Sequence, residues 1–226
     1  MNHDDRLGAF EAADLYVVIT EALCAGRRAL DILEAVLAAG VRLVQLREKE
    51  LCGRKLYELG MKFRQLTAAA GALLIVNDRL DLALAVEADG VHLGQEDLPV
   101  AAARRIAPEL LIGASTHSLE EALAAQAAGA SYINIGPIFQ TGTKPGATPL
   151  GPEMIDRIVP HLKIPWTTMG GITTGNLYEV VRRGARHPAV ITAVTAASDP
   201  GQAARELREI ILSGISSLPT RHNVVN

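Results

Sequence analysis

A few short stretches of this 226-residue chain hold residue types that could do chemistry together. VQLREK (44–49) alternates Gln45, Arg47 and Lys49 with Leu46 and Glu48. On a strand, residues two apart share a face, so an amide and two cations would point the same way. Arg offers a planar fork to oxyanions and Lys a point charge. VNDR (76–79) supplies Asn77 and Asp78, and HLGQED (92–97) supplies Asp97. One or two carboxylates suffice for Mg²⁺, which completes its octahedron with water and phosphate oxygens. Cations beside a carboxylate-held metal suit a pyrophosphate. Further along, IGAST (112–116) carries Ser115, and FQTGTKPGATPLGP (139–152) carries Thr141, Thr143 and Lys144. Gly170-Gly171 in MGG and Thr192 in AVITAV (189–194) suit a second, metal-free phosphate, through close backbone approach and a hydroxyl donor.

These groups are far apart in sequence, so a fold must gather them. Short apolar runs alternate with Ala/Leu-rich amphipathic segments along the whole chain. The expected strands are 15–19, 41–47, 72–76, 89–93, 110–115, 132–136, 165–169 and 189–194. The expected helices lie near 27–39, 53–70, 78–87, 99–107, 118–128, 151–160, 174–183 and 199–212, several ending in glycine (Gly40, Gly71, Gly129). Alternating strands and helices imply βαβ units and a parallel sheet. Roughly eight units in about 200 residues predict a closed (β/α)₈ TIM barrel. The chain reads as one domain, 1–226, with the barrel over about 15–213. Residues 1–13 and 214–226 read as short appendages. An open doubly wound sheet is the rival, but no G-x-G-x-x-G follows the first strand and no Walker A lysine motif occurs. In a parallel barrel the site forms at the C-terminal ends of the strands. Every residue singled out above stands at such an end. The long Gly/Thr/Pro stretch after strand six reads as a functional loop that closes over ligands across 139–149.

Several of these residues have plainer uses. Asp78 and Asp97 each stand where the N-cap of a following helix would. Arg47 and Lys49 could pair with Glu48 or Glu50 on the surface, and Gly170-Gly171 could be an ordinary turn. His92 and His117 have no partner at metal spacing and read as structural. Joint placement at strand ends carries the functional reading.

Composition narrows the class. Hydrophobic residues make up 49% and aromatics 4%, so a large core must be built mainly from Ala, Val, Leu and Ile. The net charge is −3, no basic tract occurs, and aromatics to stack bases are scarce, which argues against nucleic acid. Cys24 and Cys52 make neither a disulfide framework nor a metal motif. The N-terminal residues lack the pattern of a signal peptide, and no apolar run would span a bilayer. A soluble cytoplasmic enzyme without membrane or nucleic-acid partners is expected.

Over residues 15–212 the sequence resembles the thiamin phosphate synthase family, also called thiamin phosphate pyrophosphorylase. The resemblance rests on VQLREK (44–49), VNDRLDLALAVEADGVHLGQEDLP (76–99), IGASTHSLEEA (112–122), YINIGPIFQTGTKPGA (132–147) and MGGIT (169–173). It implies condensation of a hydroxymethylpyrimidine pyrophosphate with hydroxyethylthiazole phosphate, or its carboxylated form, to thiamin phosphate and pyrophosphate. It also implies a dissociative path through a pyrimidine carbocation, with Mg²⁺ as cofactor. The thiazole nitrogen carries no proton, so the reaction needs no general base to activate it. Carried over residue by residue, Gln45, Arg47, Lys49 and Asn77 match the pyrimidine pyrophosphate contacts. Asp78 and Asp97 match the Mg²⁺ ligands, and Ser115 matches a serine near the pyrimidine. Thr141, Thr143 and Lys144 match a loop over the thiazole phosphate and pyrophosphate, and Gly171, Ile191 and Thr192 match the thiazole phosphate site. Arg47, Lys49, Ser115 and Lys144 are the catalytic candidates. The partners are small molecules, and the family's habits allow a homo-oligomer that no residue of the sequence marks.

The sequence departs from the family in three places. Ile191-Thr192-Ala193-Val194 replaces a common Val-Ser-Ala-Ile, keeping the hydroxyl. Arg186-His187-Pro188 replaces a commoner glycine-containing stretch, which bears on the phosphate loop, and Trp166 is bulkier than usual. The nearest rival, a thiazole tautomerase on the same barrel, places a catalytic histidine where this chain has Pro137. A non-catalytic phosphate sensor would be expected to lack the aspartates or Lys144. A glycosidase would leave the cations without a role.

Overall fold

The computed structural model describes residues 1–143 and 146–216. In chain order the elements begin with α1 (His3–Ala12), β1 (Tyr16–Ile19), α2 (Ala29–Ala38), β2 (Leu43–Leu46), α3 (Gly53–Ala69) and β3 (Leu73–Asn77). Next come α4 (Leu80–Ala85), β4 (Gly90–Leu93), α5 (Val100–Ile106), β5 (Leu111–Thr116), α6 (Leu119–Ala127) and β6 (Tyr132–Ile135). The last are α7 (Glu153–Ile158), β7 (Trp166–Met169), α8 (Leu177–Val181), β8 (Pro188–Val190), α9 (Thr192–Thr195) and α10 (Pro200–Ser216). Each strand pairs in parallel with its neighbours in sequence. Tyr16 of β1 meets Ala189 of β8 in register, which closes the barrel. The expected (β/α)₈ architecture is the observed one. Among the described residues no helix is long and apolar enough to cross a membrane.

Two apolar layers explain why the strands read as continuous hydrophobic runs. Inward residues such as Val18, Leu43, Ile75 and Leu111 fill the barrel. Outward residues such as Val17, Val44, Leu74 and Ile133 pack under the helices against Ile32, Val36, Phe63 and Leu207. A parallel strand buried on both faces loses the polar alternation of a half-exposed one.

Two sequence expectations need correction. Residues 189–194 were expected as one strand, but β8 ends at Val190 and Thr192 begins the short helix α9. The β-branched run favours a strand by propensity. The chain instead turns at Ile191, whose carbonyl accepts from Val194 N (3.0 Å) and Thr195 N (2.9 Å). Residues 1–13 are not an appendage either. Helix α1 closes the barrel floor, with Phe10 fully buried and stacked on Tyr132 at 4.5 Å between ring centroids. Burying one such ring is worth roughly 1.5–3 kcal/mol. The floor also holds a buried carboxylate, Asp89, which accepts from Arg64 (2.6 Å) and from Leu74 N (2.9 Å), with Arg6 Nε at 3.6 Å. A carboxylate taken out of water needs such partners, and these tie α1 and α3 to the barrel. Residues 217–226, the greater part of the expected C-terminal extension, lie outside the described residues.

Candidate active site at the C-terminal rim

Strand β2 ends as two cations leave the barrel. Arg47 N continues the ladder to Ile19 O at 2.9 Å, and Thr20 Oγ1 donates to Arg47 O at 2.7 Å. Glu48 turns away and accepts from Glu21 N at 2.6 Å. Lys49 crosses to β3, with Nζ 2.5 Å from Asp78 Oδ2. The surface pairing of Lys49 with Glu48 or Glu50 is therefore not the arrangement seen.

Neither aspartate acts as a helix cap. The N-cap of α4 is Arg79 and that of α5 is Pro99, both without a side-chain cap. Asp78 stands at φ +61°, and its N–H donates to His92 O at 2.8 Å. A left-handed backbone at a non-glycine residue is uncommon, though aspartate tolerates it better than most. The Asp97 carboxylate accepts from Gly94 N at 2.6 Å. Burial holds the Asp97 carboxyl above the usual carboxylate range; the Gly94 N–H opposes this, and neighbouring Asp78 adds to it. Two oxygen-donor carboxylates facing one another fit a hard divalent cation. Among the described residues no cluster of three or more His, Cys, Asp or Glu could hold a metal, so a cation here would rely on these two and on ligand oxygens.

Asn77 ends β3 opposite His92 in the ladder. Ser115, on β5, places Oγ 2.9 Å from His92 Nε2, while its carbonyl accepts from Gln95 Nε2 at 2.6 Å. His117 pairs with Glu121 of α6 at 2.9 Å, as its structural reading expects. Lys144 lies outside the described residues. Thr141 and Thr143 bring their hydroxyls within 2.9 Å of each other.

The glycine pair has a use that spacing alone did not reveal. Ile138 N donates to Met169 O (2.9 Å) and Phe139 N to Gly170 O (3.0 Å). A Cβ on Gly171 would lie 2.3 Å from Gln140 O, and one on Gly170 2.4 Å from Pro137 Cβ. The close approach at Gly170-Gly171 is thus made by the chain's own loop after β6, which brings Thr141 and Thr143 towards this sector. Strands β7 and β8 pair Met169 with Ala189, so Gly171 and Ile191 leave the barrel as neighbours. Ile191 is half-buried and Thr192 exposed.

The Arg186-His187-Pro188 departure lies at the other end of β8. Pro188 is the strand's first residue, where a missing N–H is tolerated. His187 is buried, donates Nδ1–H to Ala13 O at 2.8 Å, and packs against Phe10. It belongs to the floor, away from Thr192.

Sequence reasoning missed Tyr16 and Tyr132 and gave His92 only a structural part. Gln45 Nε2 donates to the Tyr16 hydroxyl at 2.5 Å. That hydroxyl lies 3.2 Å from the Tyr132 hydroxyl, which lies 3.1 Å from His92 Nδ1. His92 Nε2 then meets Ser115 Oγ. Five side chains from β1, β2, β4, β5 and β6 form one chain through the barrel interior. Burial raises both phenols and pushes the His92 imidazole down to about 4, so all three are neutral near pH 7. The available signal was the inward register of two tyrosines and a histidine on strands otherwise filled with aliphatic residues.

Comparison with known proteins supplies the family and supports the fold. The family model described as thiamine monophosphate synthase matches residues 15–194. A thiamine-phosphate synthase of Moorella thermoacetica is 50% identical over 200 residues, covering 88% of this chain and 95% of that protein. One from Chloroflexus aurantiacus is 48% identical over 198 residues, covering 87% and 92%. The solved structure of thiamine phosphate pyrophosphorylase from Pyrococcus furiosus superposes with a TM-score of 0.85 at 41% identity, covering 91% of this chain and 98% of that one.

Proposed function

This chain belongs to the thiamine monophosphate synthase family, and we propose that it is a cytoplasmic transferase that makes thiamin phosphate at the C-terminal rim of its barrel. The substrates are a hydroxymethylpyrimidine pyrophosphate and hydroxyethylthiazole phosphate, or the carboxylated thiazole. The observation that carries the reading is the convergence of Lys49, Asp78 and Asp97 at one rim, beside a barrel mouth bounded by Gln45 and Ser115.

In this account Gln45 and Ser115 orient the pyrimidine, while Arg47, Lys49 and Asn77 hold its pyrophosphate. Asp78 and Asp97 would hold Mg²⁺, which when bound supplies positive charge to the departing pyrophosphate. The pyrimidine CH₂–O bond breaks, and its electron pair leaves with pyrophosphate. The lone pair of the thiazole nitrogen then forms the new C–N bond. Cations aimed at the charge that develops lower the barrier without rearranging during the reaction. Thr141, Thr143, Gly171, Ile191 and Thr192 frame the thiazole phosphate, and Lys144 completes the loop's share. No residue need act as a base, and Pro137 stands where the tautomerase reading requires a histidine.

Incubation of the purified protein with Mg²⁺ and both substrates, followed by mass spectrometry, tests this. Thiamin phosphate that disappears with EDTA is expected. No product from folded protein would overturn the assignment.

A further inference from the structure

The buried chain Gln45–Tyr16–Tyr132–His92–Ser115 joins Gln45, itself buried, to the half-buried Ser115 through three side chains that the reaction itself does not require. Its links are 2.5, 3.2, 3.1 and 2.9 Å. The site is built around it. A Cβ on Gly113 would lie 2.2 Å from Tyr132 Cζ and 2.6 Å from His92 Nδ1, so only glycine there lets the two meet. Phe10 of α1 stacks on Tyr132 from below.

Proton counting gives the chain a direction. Each hydroxyl has one proton to donate, and a neutral imidazole has one N–H. Gln45 gives Nε2–H to Tyr16, so Tyr16 is free to donate to Tyr132. Tyr132 then donates to His92 Nδ1, and His92 must carry its proton on Nε2, where it donates to Ser115 Oγ. The Ser115 proton is left to point into the site. At the other end no protein donor among the described residues reaches Gln45 Oε1. Reversing one link reverses all of them. Turning the Gln45 amide over would therefore require His92 to carry its proton on Nδ1 and Ser115 to turn its hydroxyl proton towards His92 Nε2.

We propose that Tyr16, Tyr132 and His92 are positioning residues that fix Gln45 as an acceptor and Ser115 as a donor, so that the site selects an aminopyrimidine over its oxo counterpart. The proposal rests on the pyrimidine reading of the site given above. An unrestrained glutamine amide can turn over and read either ring: an amino group beside a ring nitrogen, or a carbonyl beside a ring N–H. Held by the chain, it accepts from the amino group and has an inverted pattern for the oxo ring. A site whose buried polar groups would be left unpaired discriminates strongly.

Two measurements on the full chain test this. The first is the ¹⁵N spectrum of histidine-labelled protein at neutral pH, with His92→Gln used only to assign the signal. A neutral His92 protonated on Nε2 is expected; protonation on Nδ1, or an imidazolium, overturns the direction. The second is calorimetric binding of the 4-amino and 4-oxo pyrimidine pyrophosphates. The wild type should favour the amino compound by about 100-fold or more, and Tyr132→Phe should reduce that preference to under about 10-fold. Tyr16→Phe should do the same and serves if Tyr132→Phe does not fold. An unchanged preference in a folded variant, or no binding of either compound to the wild type, overturns the proposal. Selective binding without thiamin phosphate formation would leave the chain's role standing and remove the reaction assignment instead.

Discussion

Lys49 Nζ lies 2.5 Å from Asp78 Oδ2, across the gap between the ends of β2 and β3. The aspartate reaches this position on a backbone at φ +61°, a conformation natural to glycine. The chain keeps a carboxylate where glycine would be easier, which points to function rather than stability.

Asp78→Gly should separate the two. The substitution relieves the left-handed backbone, worth up to about 1 kcal/mol. It removes only a partly exposed ion pair, which contributes little. The variant is expected to melt at or above the wild-type temperature while losing turnover. A large drop in melting temperature would instead make Asp78 a structural residue.

Asp78→Ala and Asp97→Ala should each lower turnover on the order of 10²-fold or more and weaken its Mg²⁺ dependence. Neither aspartate caps a helix, so circular dichroism should match the wild type. Near-normal rates in both would remove them as metal ligands.

Much of this rim was legible in the sequence, because inward apolar residues and rim polar residues follow a period of two and end at the same side. The β8 boundary was not. Ile191, Thr192 and Val194 carry strand propensity, and only the carbonyl of Ile191 capturing two later N–H groups reveals the helix. The floor was hidden for a different reason. Helix α1 is polar almost all round and contributes one buried aromatic, Phe10, so no amphipathic pattern announces it. Tyr16 and Tyr132 are 116 residues apart, and nothing local in either strand predicts that their hydroxyls meet.

Phe10→Ala tests the floor. Emptying a fully buried aromatic site costs about 3–5 kcal/mol. Urea denaturation should show that loss. A change under about 1 kcal/mol would return residues 1–13 to the status of an appendage.

Gly113→Ala forces a methyl group against Tyr132 and His92. Overpacking of this kind costs roughly 1–3 kcal/mol. Affinity for the pyrimidine pyrophosphate should fall with stability, whereas affinity for the thiazole phosphate should hold. Equal losses for both ligands would show a general collapse of the barrel instead.

Burial sets a pH dependence at the floor. His187 is pushed down to about 4 by burial, against 6.5 when unfolded. Below pH 6.5 the unfolded chain takes up a proton that the folded chain refuses. The contribution is therefore intact above pH 6.5 and shrinks as pH falls towards 4, by roughly 1.4 kcal/mol per pH unit. His187→Asn removes that titration. The stability gap between wild type and variant should narrow between pH 7 and pH 5; a constant gap would mean that His187 is protonated alike in both states.

On the proposed function, this rim joins two heterocycles as pyrophosphate leaves. The direct measurement is a time course of both products from purified protein, Mg²⁺ and the two substrates. Thiamin phosphate and pyrophosphate should appear in equal amounts, only when both substrates and the metal are present. Pyrophosphate released without thiamin phosphate, or neither product from folded protein, would contradict the claim.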